Sequence, residues 1–209
     1  MQYVFGKKFS KVFDYILVFF LFGIAVTMIA GSGSTFEQSF GIPTWLGALI
    51  MTVLIYLTLL LDFNKIVRAL GIITPFLIIM VILIAVFYLF TGSISLGEVN
   101  SAMPETSAWK GIFWGLVYGG LAFAVGFSTI VAIGGDASKR RVSGAGAMFG
   151  GVLYAILLAL INFSLQTEYS KIKDVAIPTL NLAKGIHPWL GLVLTVIMLA
   201  VMYLSLIHI

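Results

Sequence analysis

The chain is 209 residues long, 61% hydrophobic and 10% charged, with no cysteine and a formal net charge of +4. A domain in water ordinarily carries about a quarter of its residues as charges, so these few charged side chains cannot clothe a soluble surface and the apolar excess must face lipid. Without cysteine there is no disulfide, no thiolate metal site and no cysteine nucleophile.

Crossing about 30 Å of hydrocarbon takes about 20 apolar residues as a helix. Six runs approach that length, roughly 12 to 31, 44 to 61, 71 to 90, 111 to 133, 143 to 165 and 188 to 207. They are continuous and lack the alternation of a membrane β-barrel, so the expected fold class is all-α, a polytopic membrane protein with six transmembrane helices. One helical domain is expected over residues 1 to 203. The first run follows Lys7, Lys8 and Lys11, yet exceeds the 7 to 15 apolar residues of a secretory leader, so it is expected to stay in the membrane. Thr27, in its second half, is placed to bond back to a carbonyl one turn earlier. Gly31-Ser32-Gly33-Ser34 then resembles a loop or a helix end. It lacks the lysine and the strand of a phosphate cradle.

Eight of the twelve basic residues (Lys7, Lys8, Lys11, Lys65, Arg68, Lys139, Arg140, Arg141) share one side of the six-span topology, and Lys110, Lys171, Lys173 and Lys184 share the other. The excess puts the N-terminus in the cytoplasm. The 91 to 109 loop is polar, with Gly92, Gly97 and Pro104, and joins two halves. The 166 to 187 loop instead carries Ile172, Val175, Ile177, Leu180 and Leu182 around Pro178, so it should lie on protein or the interface, as a packed loop or an external lid.

The fourth run has glycine at 111, 115 and 119, one helix face at four-residue spacing that admits a neighbouring backbone. The pair Gly119-Gly120 lies near mid-membrane, where two residues of poor helix propensity weaken the ladder. Plain close packing and a discontinuous helix both satisfy this pattern. Breaks of the second kind free backbone groups to bind solute at the bilayer midplane. The fifth run opens on another small-residue face, Gly144 to Gly151, which packing explains. Asn162 and Ser164 come near its outer end, within reach of water or headgroups.

Asp14 and Asp62 lie at the ends of spans, and Glu37 and Glu98 in loops, so a proton relay through the helices is not expected. His187 has no metal-ligating neighbour at useful spacing, and no Ser-His-Asp or paired-carboxylate constellation occurs near the membrane. The chain is not expected to be an enzyme, to hold a metal or to bind nucleic acid. Lys139-Arg140-Arg141 serves as a topology anchor.

Three stretches carry a family resemblance: Phe13-Asp14-Tyr15-Ile16-Leu17-Val18-Phe19-Phe20-Leu21-Phe22-Gly23, Ala30 to Glu37, and Phe40-Gly41-Ile42-Pro43-Thr44-Trp45-Leu46-Gly47. Together with Gly134-Gly135-Asp136 and Ala176-Ile177-Pro178-Thr179-Leu180, they look like the YkvI-type bacterial membrane proteins. That family in turn resembles the LeuT-fold amino acid, polyamine and organocation transporters. The resemblance implies that the six runs match the third to the eighth helix of that fold and that the chain is a fragment lacking the first. It further implies a bacterial inner-membrane secondary transporter moving a small organic solute, an amino acid or amine, by alternating access. The alternative is a permease-like receptor or assembly subunit that binds a ligand without moving it.

On this resemblance Tyr118, Gly119, Gly120 and Phe123 form the central solute site, with Thr27 a further contributor. Few polar side chains flank Tyr118, so backbone groups would do most of the binding. No cofactor is implied beyond a coupling sodium ion, held mainly by segments missing from this chain. The solute and the lipid bilayer are the expected partners; the oligomeric state stays open. The last six residues, Leu204-Ser205-Leu206-Ile207-His208-Ile209, are what a common transposon-based sequencing adapter encodes in frame, and 204 to 209 are expected to be such an artefact.

Overall fold

The computed structural model describes residues 2–59, 63–92, 107–136 and 139–208. These form eight α-helices: α1 (Gln2–Phe40), α2 (Thr44–Thr58), α3 (Phe63–Thr91), α4 (Ala108–Asp136), α5 (Arg140–Thr167), α6 (Tyr169–Ile172), α7 (Pro178–Ile186) and α8 (Pro188–His208). There is no strand among the described residues, in keeping with the all-α expectation. Among the described residues four stretches are long and apolar enough to cross a bilayer, Ser10–Phe40, Ile72–Thr91, Arg140–Thr167 and Pro188–Ile207. They coincide with the first, third, fifth and sixth expected spans, and they make the chain a multi-pass helical membrane protein.

The other two expected spans stand differently. α2 has 15 residues, about 22 Å at 1.5 Å per residue, and is short of the hydrocarbon thickness; the end of its expected span, 60 and 61, lies outside the described residues. α4 has 29 residues and contains the whole expected 111 to 133 span, with the side chains of 125 and 127–133 outside the description. So are Asp62, Glu98, most of the 91 to 109 loop with Gly97 and Pro104, the side chains of Lys65, Arg68 and Asp136, and Ile209.

Two compact units divide the chain, one of residues 1–25 and 103–152, the other of 26–102 and 153–209. In the first, Gly134 at the end of α4 leaves room for Ser143 of α5, whose Oγ lies 3.5 Å from where a Cβ would stand. Gly6 takes φ +75° and kinks α1 before its lysines, a backbone state that glycine alone adopts cheaply.

The second unit holds the main core. Expected as a loop or a helix end, Gly31-Ser32-Gly33-Ser34 is helical and short of the end, since α1 runs through it to Phe40. The reason is hydroxyl back-bonding: Ser32 Oγ donates to the Ile29 carbonyl at 2.7 Å and Thr35 Oγ1 to the Gly31 carbonyl at 2.8 Å, so neither hydroxyl competes for the backbone N–H groups. The small residues then serve packing. Gly33 lies directly against the Thr44 carbonyl, and Gly47 of α2 against Phe36, whose Cβ is 2.7 Å from where a methyl group on Gly47 would stand. A hairpin this tight needs a sharp turn, supplied by Gly41 at φ +69° with its N–H bonded to the Glu37 carbonyl at 2.9 Å.

The 166 to 187 segment is packed, folded as α6 and α7, and is the centre of the core. Ile172, Ile177, Leu180, Leu182 and Ala183 are buried with Met80, Ile84 and Tyr88 of α3 and Leu194 of α8. Ser164, expected near water or headgroups, is fully buried; its Oγ lies 2.8 Å from the Leu160 carbonyl and 3.1 Å from the Ala85 carbonyl, joining α5 to α3. Asn162 is exposed and accepts from Gln166 at 2.6 Å. A smaller cluster joins Leu204 and Ile207 to Ile55, Ile73 and Tyr203, as apolar side chains at a helix end do whatever their origin.

Gln38 fastens the connector. Its Nε2 donates to the Ile177 carbonyl at 3.1 Å while its Oε1 accepts from the Ile177 N–H at 3.1 Å, and its own carbonyl accepts from Lys184 Nζ. Replacing Gln38 by Leu strands the Ile177 N–H and leaves its carbonyl with the Asn181 N–H alone, at 3.3 Å, at a cost of about 1–3 kcal/mol. The expected result is a lower thermal midpoint in detergent and faster amide exchange at Ile177, with Gln38→Asn intermediate.

Candidate functional site

The sequence-derived site is split between the two units: Tyr118, Gly119, Gly120 and Phe123 belong to one and Thr27 to the other. The side chains of Tyr118, Phe123 and Thr27 are all exposed. α4 does not break at Gly119-Gly120; it is helical from Ala108 to Asp136. A glycine pair weakens a helix by about 1 kcal/mol per residue, but opening the ladder in hydrocarbon leaves N–H and C=O groups with no water to bond, which costs more. The backbone groups of 119 and 120 are therefore engaged within the helix, and solute contact there falls to side chains. A Cβ at Gly111, Gly115, Gly119 or Gly120 meets nothing within 4 Å, so this glycine face is open among the described residues. So are Gly144, Gly146, Gly150 and Gly151 of α5.

A second feature escaped sequence reading. At the ends of α3 and α5, beside the start of α8, a cleft of about 490 Å³ opens in the second unit. Its apolar wall is Phe87 and Tyr88 of α3, with Ile172 and Leu182; its polar wall is Glu168, Lys171, Asn181 and Lys184, and Thr91 and Gly185 complete it. Phe87 and Tyr88 stack edge to face at 5.4 Å. Tyr88 Oη donates to the Leu182 carbonyl at 3.0 Å and fits because Gly185 has no side chain; a Cβ there would stand 2.6 Å from the hydroxyl.

The charges at the mouth are mixed. Lys171 Nζ lies 2.6 Å from Glu168 Oε2, with the lysine largely exposed and the carboxylate mostly covered. The hydrogen bond and the charge of Glu168 hold the Lys171 ammonium above its usual range. Lys184 spends one donor on the Gln38 carbonyl. Among the described residues the Asn181 side chain makes no hydrogen bond. The sequence signal for this cleft was the presence of Lys171 and Lys184 within an apolar loop, and nothing in it announced Phe87 or Tyr88.

His187 works as a helix cap: its Nδ1 accepts from the Trp189 N–H at 3.2 Å and its carbonyl from the Leu190 N–H at 3.0 Å, with Pro188 opening α8. No group of three His, Asp or Glu side chains close enough to hold a metal ion occurs among the described residues.

No protein-family model matches the chain, and no solved structure does. Over 166 residues, 79% of its length, the chain is 25% identical to the "Uncharacterized membrane protein YkvI" of Bacillus subtilis (strain 168). It spans about half of that relative, 47%. The apolar helices and this similarity, taken together, describe a YkvI-like helical membrane protein.

Proposed function

We propose that the chain is part of an inner-membrane secondary transporter that moves a small organic solute, an amino acid or amine, by alternating access. On this reading it has six spans, resembles the third to eighth helices of a LeuT-type fold and keeps its N-terminus in the cytoplasm, where the basic excess favours it. It performs no covalent chemistry. The observation that carries the reading is the open face of α4, where glycines at 111, 115 and 119 leave space beside exposed Tyr118 and Phe123. Gly119, Gly120, Tyr118 and Phe123 line the solute path, and the aromatics supply most of the contact.

Uptake of radiolabelled amino acids by the full-length gene product tests it. Gly119→Leu puts a bulky side chain on the open face, where a Cβ meets nothing within 4 Å, and uptake is expected to fall at least tenfold with expression unchanged. Wild-type uptake by this variant sinks the site.

The unbroken α4 favours a second reading, a receptor or assembly subunit that binds the same class of solute without moving it. Saturable binding to vesicles with no accumulation inside them distinguishes it.

A further inference from the structure

The cleft between α3, α6 and α7 shares no lining residue with the α4 face, and its chemistry differs. Its depth follows from the helices that frame it: the apolar stretch of α3 ends at Thr91, α5 ends at Thr167, and α8 begins at Pro188. All three ends mark the membrane–water boundary, so the cleft opens at headgroup level.

Its hydrogen-bonding capacity is two-sided. Glu168 commits Oε2 to Lys171 and has Oε1 left to accept, while Lys184 has two of its three N–H groups left after bonding Gln38, and the Asn181 amide offers both a donor and an acceptor. An anion alone would meet the mostly covered Glu168 carboxylate, and a cation alone would meet two lysines. A molecule with both charges satisfies both. The aromatic wall of Phe87 and Tyr88 suits an ammonium approaching a ring face and an apolar group alongside it. At about 490 Å³ the space falls in the range of small-molecule sites.

We propose that this cleft binds a zwitterion, an ammonium and an acidic group carried on one molecule, with Glu168 receiving the ammonium and Lys184 and Asn181 the acid. Two sources offer that chemistry at this depth: a free amino acid in the water phase and the phosphoethanolamine headgroup of a lipid. The site stands whether the protein transports or only senses, so its fate is independent of the Gly119→Leu result.

The test uses the purified full-length gene product in nanodiscs, titrated with phenylalanine, phenethylamine and 3-phenylpropionate, and examined by native mass spectrometry after reconstitution with equal phosphatidylethanolamine and phosphatidylglycerol. Phenylalanine binding at least tenfold tighter than either singly charged analogue supports the site with a free solute as its source. Selective retention of phosphatidylethanolamine supports it with lipid as the source. In either case Glu168→Gln should weaken binding about tenfold, and Asn181→Leu severalfold, without moving the thermal midpoint of the unliganded protein. Equal binding of the amine alone or the acid alone overturns the proposal, as does unaltered binding by Glu168→Gln. Failure of every probe and both lipids overturns it too.

Discussion

Leu180→Ala is expected to cost about 2–5 kcal/mol, the range for emptying a fully enclosed leucine site. Leu180 has no exposed surface, and it sits among Ile84 of α3, Leu182 of α7 and Leu194 of α8, so no rigid neighbour is free to fill the space. Because α7 is only nine residues long, its place depends on this contact more than on its own helix propensity. The thermal midpoint in detergent should drop sharply, and trypsin should cut after exposed Lys171 and Lys173 at concentrations that spare the wild type. Val196→Ala, on a side chain of α8 that is 57% exposed, provides the comparison and should change little. Equal effects of the two would remove the connector from the core.

Gly33→Val should separate α1 from α2. A Cβ at position 33 runs into the Thr44 carbonyl and stands 3.0 Å from Thr44 Cγ2, and backbone cannot yield as a flexible side-chain tip would. Overpacking of this kind costs about 1–3 kcal/mol, and more where a turn locks both partners, as Gly41 does here. Gly23 of the same helix meets nothing within 4 Å, so Gly23→Ala should stabilise by about 1 kcal/mol through propensity alone. Opposite shifts in thermal midpoint for two glycines of one helix are the expected signature. Shifts of the same sign would show that the α1 to α2 approach is looser than the structure has it.

The four apolar spans were legible because their signal is length and hydropathy, and both are properties of the chain before it folds. The connector's burial was half legible: Ile172, Ile177, Leu180 and Leu182 were too apolar for a free loop, though α6 and α7 themselves were not foreseen. Gly31-Ser32-Gly33-Ser34 misled because its residues favour turns in water, whereas Ser32 and Thr35 here return their hydroxyls to the helix. Gly119-Gly120 left close packing and a break equally open, since propensity measured in water understates how strongly hydrocarbon holds a ladder closed. The cleft was out of reach because Tyr88 and Glu168 lie 80 residues apart in the chain, and the packing of the end of α5 against α3 unites them.

Gln38 has a mechanical consequence. Through its side-chain amide it grips the start of α7, and through its carbonyl it grips Lys184 near the other end, so one residue at the end of α1 holds the helix at two points. A tilt of that end must either drag α7 with it or part three hydrogen bonds together. Since Lys184 and Asn181 form one side of the cleft and α3 the other, the width of the cleft is geared to the angle of α1.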